Sequence, residues 1–401
     1  MAEGKLIRDG FDATVVVLMA LGAVVFIEPA PFDLLIILLL PVALLLRRLA
    51  IPSYGGFALV VVTLFLLANV VSLIPAREID VALRFGAITV YLVVAWVFTL
   101  GVAGKQGERG TRLVMFGWTW GAVMTTAVAI ASYFGLLPFA EQLAYQGRLN
   151  ALFKDANVLG AYLVAPAVWS ASRLVSLERG SRLPWALALV VCGLGILLSY
   201  SRGAWISLSV AMLVFFGLRM VGYGSRRSRL MTLLAVPVAA VLLAVALDRM
   251  VEIGVVQDML EQRFGPQAYD VDRFATQAEA IEVAAQRPFG IGPGQSERTF
   301  TRAAHNTYIR GFVENGYVGG LALAGLMLSS LAVALWVALS SREPRRQVAM
   351  AVVAASLMAV CIESVVIDTV HWRHMWILAA LAWTPALRPR AQTDALSRAR
   401  S

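Results

Sequence analysis

Apolar residues fall in long blocks along most of this chain, and polar residues gather in short breaks between them. The blocks run 13–27, 34–46, 55–74, 85–103, 113–137, 157–175, 184–199, 203–218, 231–247, 316–340, 348–367 and 372–387. A helix that crosses a bilayer needs roughly 20 apolar residues, so the pattern predicts about twelve transmembrane helices. The shorter blocks, such as 34–46 and 184–199, extend into their flanks or cross incompletely. Block 13–27 has the length of a signal segment, but Glu28-Pro29-Ala30-Pro31 leads it straight into the second block, and it reads as an uncleaved first helix. The strands of an outer-membrane barrel would alternate apolar and polar residues, which these blocks do not. The expected fold class is all-α, a polytopic inner-membrane helical bundle.

One long polar interruption, Asp248–Asn306, separates the ninth block from the tenth. The expected organisation is spans one to nine over 1–247, a loop over 248–306, spans ten to twelve over 307–387, and a tail over 388–401. Within the loop, Phe274, Ala278, Ile281 and Ala285 recur near helical spacing, with Glu279 and Glu282 off that face. Val271–Ala285 is therefore predicted to be an amphipathic helix lying on the membrane surface. Pro288 stops it, and Gly290, Gly292 and Gly294 predict a turn. These glycines are no dinucleotide fingerprint, because no strand precedes them and no helix opens on them.

Charge sets the orientation. Segments 1–12, 47–54, 104–112, 173–183, 219–230, 341–347 and 388–401 hold 21 of the 34 Lys and Arg but 7 of the 25 Asp and Glu. The positive-inside rule puts these segments and both termini in the cytoplasm, and the long loop on the outward side. The net charge of +9 then reflects this asymmetry and anionic inner-leaflet lipid. No nucleic-acid-binding motif is present. Cys192 and Cys361 both lie inside apolar blocks, where a small buried hydrophobe is the expected role and no disulfide framework follows.

Three polar constellations fall on the outward side. The first joins Gly147-Arg148 to Phe153-Lys154-Asp155-Ala156-Asn157, where Asp155 or Asn157 would also suit a helix N-cap and Arg148 and Lys154 an interfacial anchor. The second is Ser199-Tyr200-Ser201-Arg202-Gly203, between two short blocks. Sixteen helical residues rise about 24 Å, less than the roughly 30 Å hydrocarbon core, so Arg202 is expected below the membrane surface. An arginine there is costly unless it is paired or lines a wet cavity, which makes it a functional candidate. The third lies in the loop and at its exit. Arg273 stands near the start of the amphipathic helix, whose positive end favours an anion. His305-Asn306-Thr307-Tyr308 and Glu314-Asn315-Gly316 follow. A histidine titrates near neutrality and can take a proton from a hydroxyl. His371 and His374, spaced i, i+3 with Asp368 and Glu363 nearby, could approach a metal, but no third ligand is assured and an interfacial belt of His, Trp and Arg is the commoner meaning.

Taken together, Gly147-Arg148 with Phe153-Lys154-Asp155-Ala156-Asn157, Ser201-Arg202-Gly203, Arg273, Pro288-Phe289-Gly290-Ile291-Gly292, His305-Asn306-Thr307-Tyr308 and Glu314-Asn315-Gly316 resemble the O-antigen ligase family of bacterial membrane glycosyltransferases. The family also includes O-antigen and exopolysaccharide polymerases. The likeness spans Gly147 to about Trp383, and departs from the family at Ala156, where a proline often precedes the asparagine. It implies transfer of a glycan from undecaprenyl diphosphate to an acceptor hydroxyl, on a lipid A-core or a second lipid-linked repeat, with no cofactor and no metal. It implies His305 as base and Arg202 and Arg273 as diphosphate-binding residues. Arg148, Asn157, Asn306, Tyr308 and Glu314 are expected to bind substrate. Other expected partners are the lipid bilayer and assembly proteins of the envelope polysaccharide.

Two other classes compete. A polysaccharide or lipid transporter suits twelve spans, but transporters usually carry internal repeats and midplane sites on broken helices. Here the polar residues cluster toward one face, with Glu363 the main mid-span charge. An inactive scaffold of the assembly complex leaves Arg202, Arg273 and His305 without a purpose.

Overall fold

The computed structural model describes residues 6–27, 29–176, 180–222, 229–230, 233, 269–301 and 304–384, without the side chains of 269–273. The ninth block, apart from Leu233, lies outside the described residues. So do residues 248–268 of the loop and the tail over 388–401.

The described chain is helical almost throughout. The first helices are α1 (Gly10–Leu21), α2 (Pro31–Leu45), α3 (Gly55–Val71), α4 (Ile79–Gln106), α5 (Glu108–Tyr133) and the single turn α6 (Ala140–Leu143). A two-residue antiparallel pair follows, β1 (Ala144–Tyr145) with β2 (Arg148–Leu149), in which Ala144 faces Leu149. Next come α7 (Ala156–Leu174), α8 (Leu183–Leu198), α9 (Arg202–Val221), α10 (Tyr269–Gln286) and the turn α11 (Ser296–Thr299). The chain then runs through α12 (Thr307–Ser340), α13 (Pro344–Glu363) and α14 (Arg373–Ala382). Each predicted block among the described residues carries a helix. By length and composition, α4, α5, α9, α12 and α13 are long and apolar enough to cross a membrane, while α1, α2, α3 and α8 are shorter apolar helices.

Local chemistry fixes where these helices begin. The side chains of Asp155, Ser201 and Asn306 accept backbone N–H groups of Asn157, Ala204, and Tyr308 and Ile309, capping α7, α9 and α12. Prolines open α2 and α13, where the missing N–H costs nothing. The helix of the tenth predicted span, α12, starts at Thr307, not at the predicted 316, because the Asn306 cap lies ten residues before the long apolar run.

Lipid offers apolar helices no hydrophobic reward for pairing, so close packing and polar contacts hold such bundles together. Gly117 and Gly121 of α5 show the first. A Cβ on either would stand 2.4 Å from backbone atoms of Val16 or Ala20, so only glycine lets α1 lie this close. The Arg373 guanidinium shows the second: it grips the Asp33 carboxylate with Nε at 2.7 Å and Nη2 at 2.5 Å, joining α14 to the start of α2. At the middle of the bundle, α13 is buried along nearly its whole length, between α9 and α12. Its C-terminal end is the pivot on which the candidate site is assembled.

Candidate active site

Glu363, the last residue of α13, is buried beside the first turn of α9. Its Oε2 accepts from Ser207 Oγ at 2.9 Å, and its Oε1 lies 3.1 Å from where a Cβ on Gly203 would stand. Arg202, the half-buried first residue of α9, adjoins this contact. On the other side of the same α13 end, Ser364 O accepts the Thr307 N–H at 2.8 Å. Thr307 Oγ1 reaches Ile367 O at 3.1 Å and accepts the Thr369 N–H at 2.7 Å. Gly203, next to Arg202, and Thr307, two residues after His305, thus meet the same end of α13, although Arg202 and His305 are 103 positions apart in sequence.

Both starts carry a left-handed residue just before the cap. Tyr200 precedes Ser201 with φ 48°, and His305 precedes Asn306 with φ 46°. Non-glycine residues seldom adopt this conformation, and such outliers cluster where the surrounding structure imposes them for function. Tyr200 is buried, and burial raises its hydroxyl pKa well above the usual phenol range, so it stays neutral. His305 is exposed, on the lip of a narrow cleft lined also by Ser296, Glu297, Phe300, Arg310 and Asp368.

The predicted substrate-binding residues all hold protein partners. Arg148 donates from Nη2 to Asn157 Oδ1 at 2.7 Å and from Nε to Ser199 O at 2.9 Å, drawing the first constellation onto the second. Asn306 caps α12, and the Tyr308 hydroxyl donates to Cys361 O at 3.0 Å. Glu314 is buried and faces Arg310 Nε at 3.0 Å. Arg273 lies near the start of α10, with its side chain outside the described residues.

Arg310 escaped the sequence reading. Its guanidinium contacts Asp368, Glu314 and Glu297 and lies over the Phe85 ring, so three carboxylates converge on one cation in the cleft wall. An arginine in the first turn of an apolar helix, with a glutamate four residues on, was the available signal. His371 packs on Phe85 at 5.3 Å, whereas His374 is buried among Trp118, Tyr162 and Trp372. Among the described residues, no three His, Cys, Asp or Glu side chains are grouped to hold a metal.

The glycine turn, with Gly290, Gly292 and Gly294 at φ 80°, 106° and 71°, fits against a break in α12. Gly316 there has φ 66° and ψ −169°. Ile291 and Gly292 donate to the carbonyls of Val313 and Glu314, and Tyr317 N–H returns to Pro288 O at 3.0 Å. A Cβ on Gly290 would stand 2.3 Å from Glu314 O, and one on Gly316 2.2 Å from Pro288 O. The turn and the break need glycine at both positions, and together they fix the cleft wall.

Fold and site define a helical membrane protein with a polar site at one end of its bundle. Residues 187–324 match the family model described as O-antigen ligase, and the match supports the O-antigen ligase family for this chain. It runs from α8 through Arg202, His305 and Glu314 into α12. No curated protein gives a significant match. The family match supports a membrane glycosyltransferase of the ligase or polymerase type.

Proposed function

We propose that this protein transfers a glycan from undecaprenyl diphosphate to an acceptor hydroxyl at the periplasmic face of a bacterial inner membrane, with both termini in the cytoplasm. The first acceptor proposed is the lipid A-core, which makes the protein a ligase. What supports the reading is the meeting of the two helix starts that carry Arg202 and His305 at the end of α13, through Gly203, Ser207 and Thr307, within a segment that matches the O-antigen ligase family.

No ATP is available on that side, so the donor must arrive activated, and a lipid diphosphate is such a leaving group. As the bond between the anomeric carbon and the diphosphate oxygen breaks, charge grows on the leaving oxygen. Arginine guanidinium groups match phosphate oxygens with paired hydrogen bonds, the role proposed for Arg202 and Arg273. His305 takes the proton of the acceptor hydroxyl as its oxygen bonds to the anomeric carbon. One direct displacement inverts the anomeric configuration, unlike the two-step covalent route of paired carboxylates. The reaction calls on no metal.

The test is transfer in proteoliposomes that hold the purified protein and a polyprenyl-diphosphate glycan. Lipid A-core is offered in one set and a second lipid-linked repeat in another. A capped lipid A-core supports the ligase, and longer lipid-linked chains alone would make the protein a polymerase. No transfer to either acceptor would overturn the reading.

A further inference from the structure

The helix α10 has two apolar faces, and the bundle uses one. Ala280 and Ala284 pack against Phe300, Ala304 and Val313, and Gln277 Nε2 donates to Ala304 O at 2.9 Å. The longer apolar stripe, Phe274, Ala278, Ile281 and Ala285, points away from the protein. Phe274 and Ile281 are 60% and 56% exposed, and Phe289, just past the helix, is 67% exposed. Large side chains arranged this way mark a contact surface.

We propose that this stripe is seated in the headgroup and acyl boundary of the bilayer, so that α10 forms a membrane-bound wall of the cleft. Continuity identifies the occupant. The Tyr317 hydroxyl donates to Ala285 O at 3.1 Å, and Tyr317 N–H to Pro288 O at 3.0 Å, so the end of the stripe abuts the start of the long segment of α12. From there Val318, Leu321 and Leu328 form an exposed apolar row along a helix long and apolar enough to cross a membrane. The stripe therefore continues a lipid-facing surface at its rim, with Tyr317 at the junction, where an amphipathic ring suits the interface. The cleft opens on the opposite face of α10, through Ala280, which places His305 beside the headgroup layer. The α10 sequence has Asp270, Asp272, Glu279 and Glu282 against Arg273 alone, so apolar contact, not attraction to anionic lipid, drives the seating.

The proposal rests on the membrane reading and not on glycosyl transfer, so its test needs no substrate. Spin labels at Phe274→Cys, Ile281→Cys and Phe289→Cys, with Glu282→Cys as the polar-face control, are read in phosphatidylcholine nanodiscs. The buried Cys192 and Cys361 stay in place, and the labelled parent chain gives the background. The three stripe labels are expected to collide more with oxygen than with a water-soluble nickel chelate, and the control to show the reverse. The contrast should be unchanged when phosphatidylglycerol is added. Stripe labels as accessible to nickel as the control would overturn the proposal. So would stripe labels shielded from both reagents and broadened by one another, which would assign the face to a second copy of the chain. Seating that arises only with anionic lipid would overturn the apolar basis.

Discussion

Arg310 and Glu314 stand one helical turn apart at the start of α12, with Nε 3.0 Å from Oε1 and both side chains largely withdrawn from solvent. Glu314 also accepts the Ser296 N–H at 3.3 Å, which ties α11 to the cleft wall. Glu314→Ala leaves Arg310 paired with Asp368 and Glu297 but loses the charge-assisted bonds to Arg310 and to the Ser296 N–H, so it is expected to cost about 1.5–3 kcal/mol. Thermal unfolding in detergent should show a lower midpoint; an unchanged midpoint would contradict the structural role of this pair.

Gly316 occupies a backbone region that side chains exclude, and Pro288 O fills the space a Cβ would need. The conformation alone costs a substituted residue about 1–3 kcal/mol, and the clash adds to it. Gly316→Ala should therefore expose the glycine turn to chymotrypsin at the exposed Phe289 sooner than in the parent. Equal cleavage rates would mean that the turn does not depend on this glycine.

The helices were legible because apolar runs of membrane length leave little choice of structure, and the caps at Asp155 and Ser201 stand at the edges of those runs. What pairs with what was hidden. Asp33 and Arg373 meet across 340 positions, and Arg310 finds Asp368 across 58, distances over which a single sequence carries no pairing signal. The stripe on α10 was read at the correct spacing, but which face packs depended on Phe300, Ala304 and Val313, whose placement only the fold supplies. Arg202 and His305 were each suspected from chemistry; that the adjacent Gly203 and Thr307 meet the same end of α13 emerged from the packing.

Orientation is open to direct labelling. A cysteine at the exposed Arg298 should react with a membrane-impermeant maleimide in intact spheroplasts, and one at Lys105 only after lysis. Among the described residues, the substitution removes an exposed ion pair of Arg298 with Glu78, which contributes little. The reverse labelling would place the cleft in the cytoplasm and remove the lipid-diphosphate reading.

Arg202→Lys keeps the positive charge and loses the planar fork that fits two phosphate oxygens. Transfer should fall steeply while membrane expression stays normal. A lysine variant near parental activity would reduce Arg202 to general electrostatic attraction.

The proposed division of labour is tested most directly by measuring donor binding and turnover separately on His305→Ala and Arg202→Ala in proteoliposomes. His305→Ala should bind the lipid-diphosphate glycan like the parent and turn over roughly 10²–10⁴-fold more slowly, the loss expected of a general base. Arg202→Ala should lose both binding and rate. A His305→Ala protein that turns over at the parental rate, or that no longer binds donor, would contradict the base role assigned to the histidine.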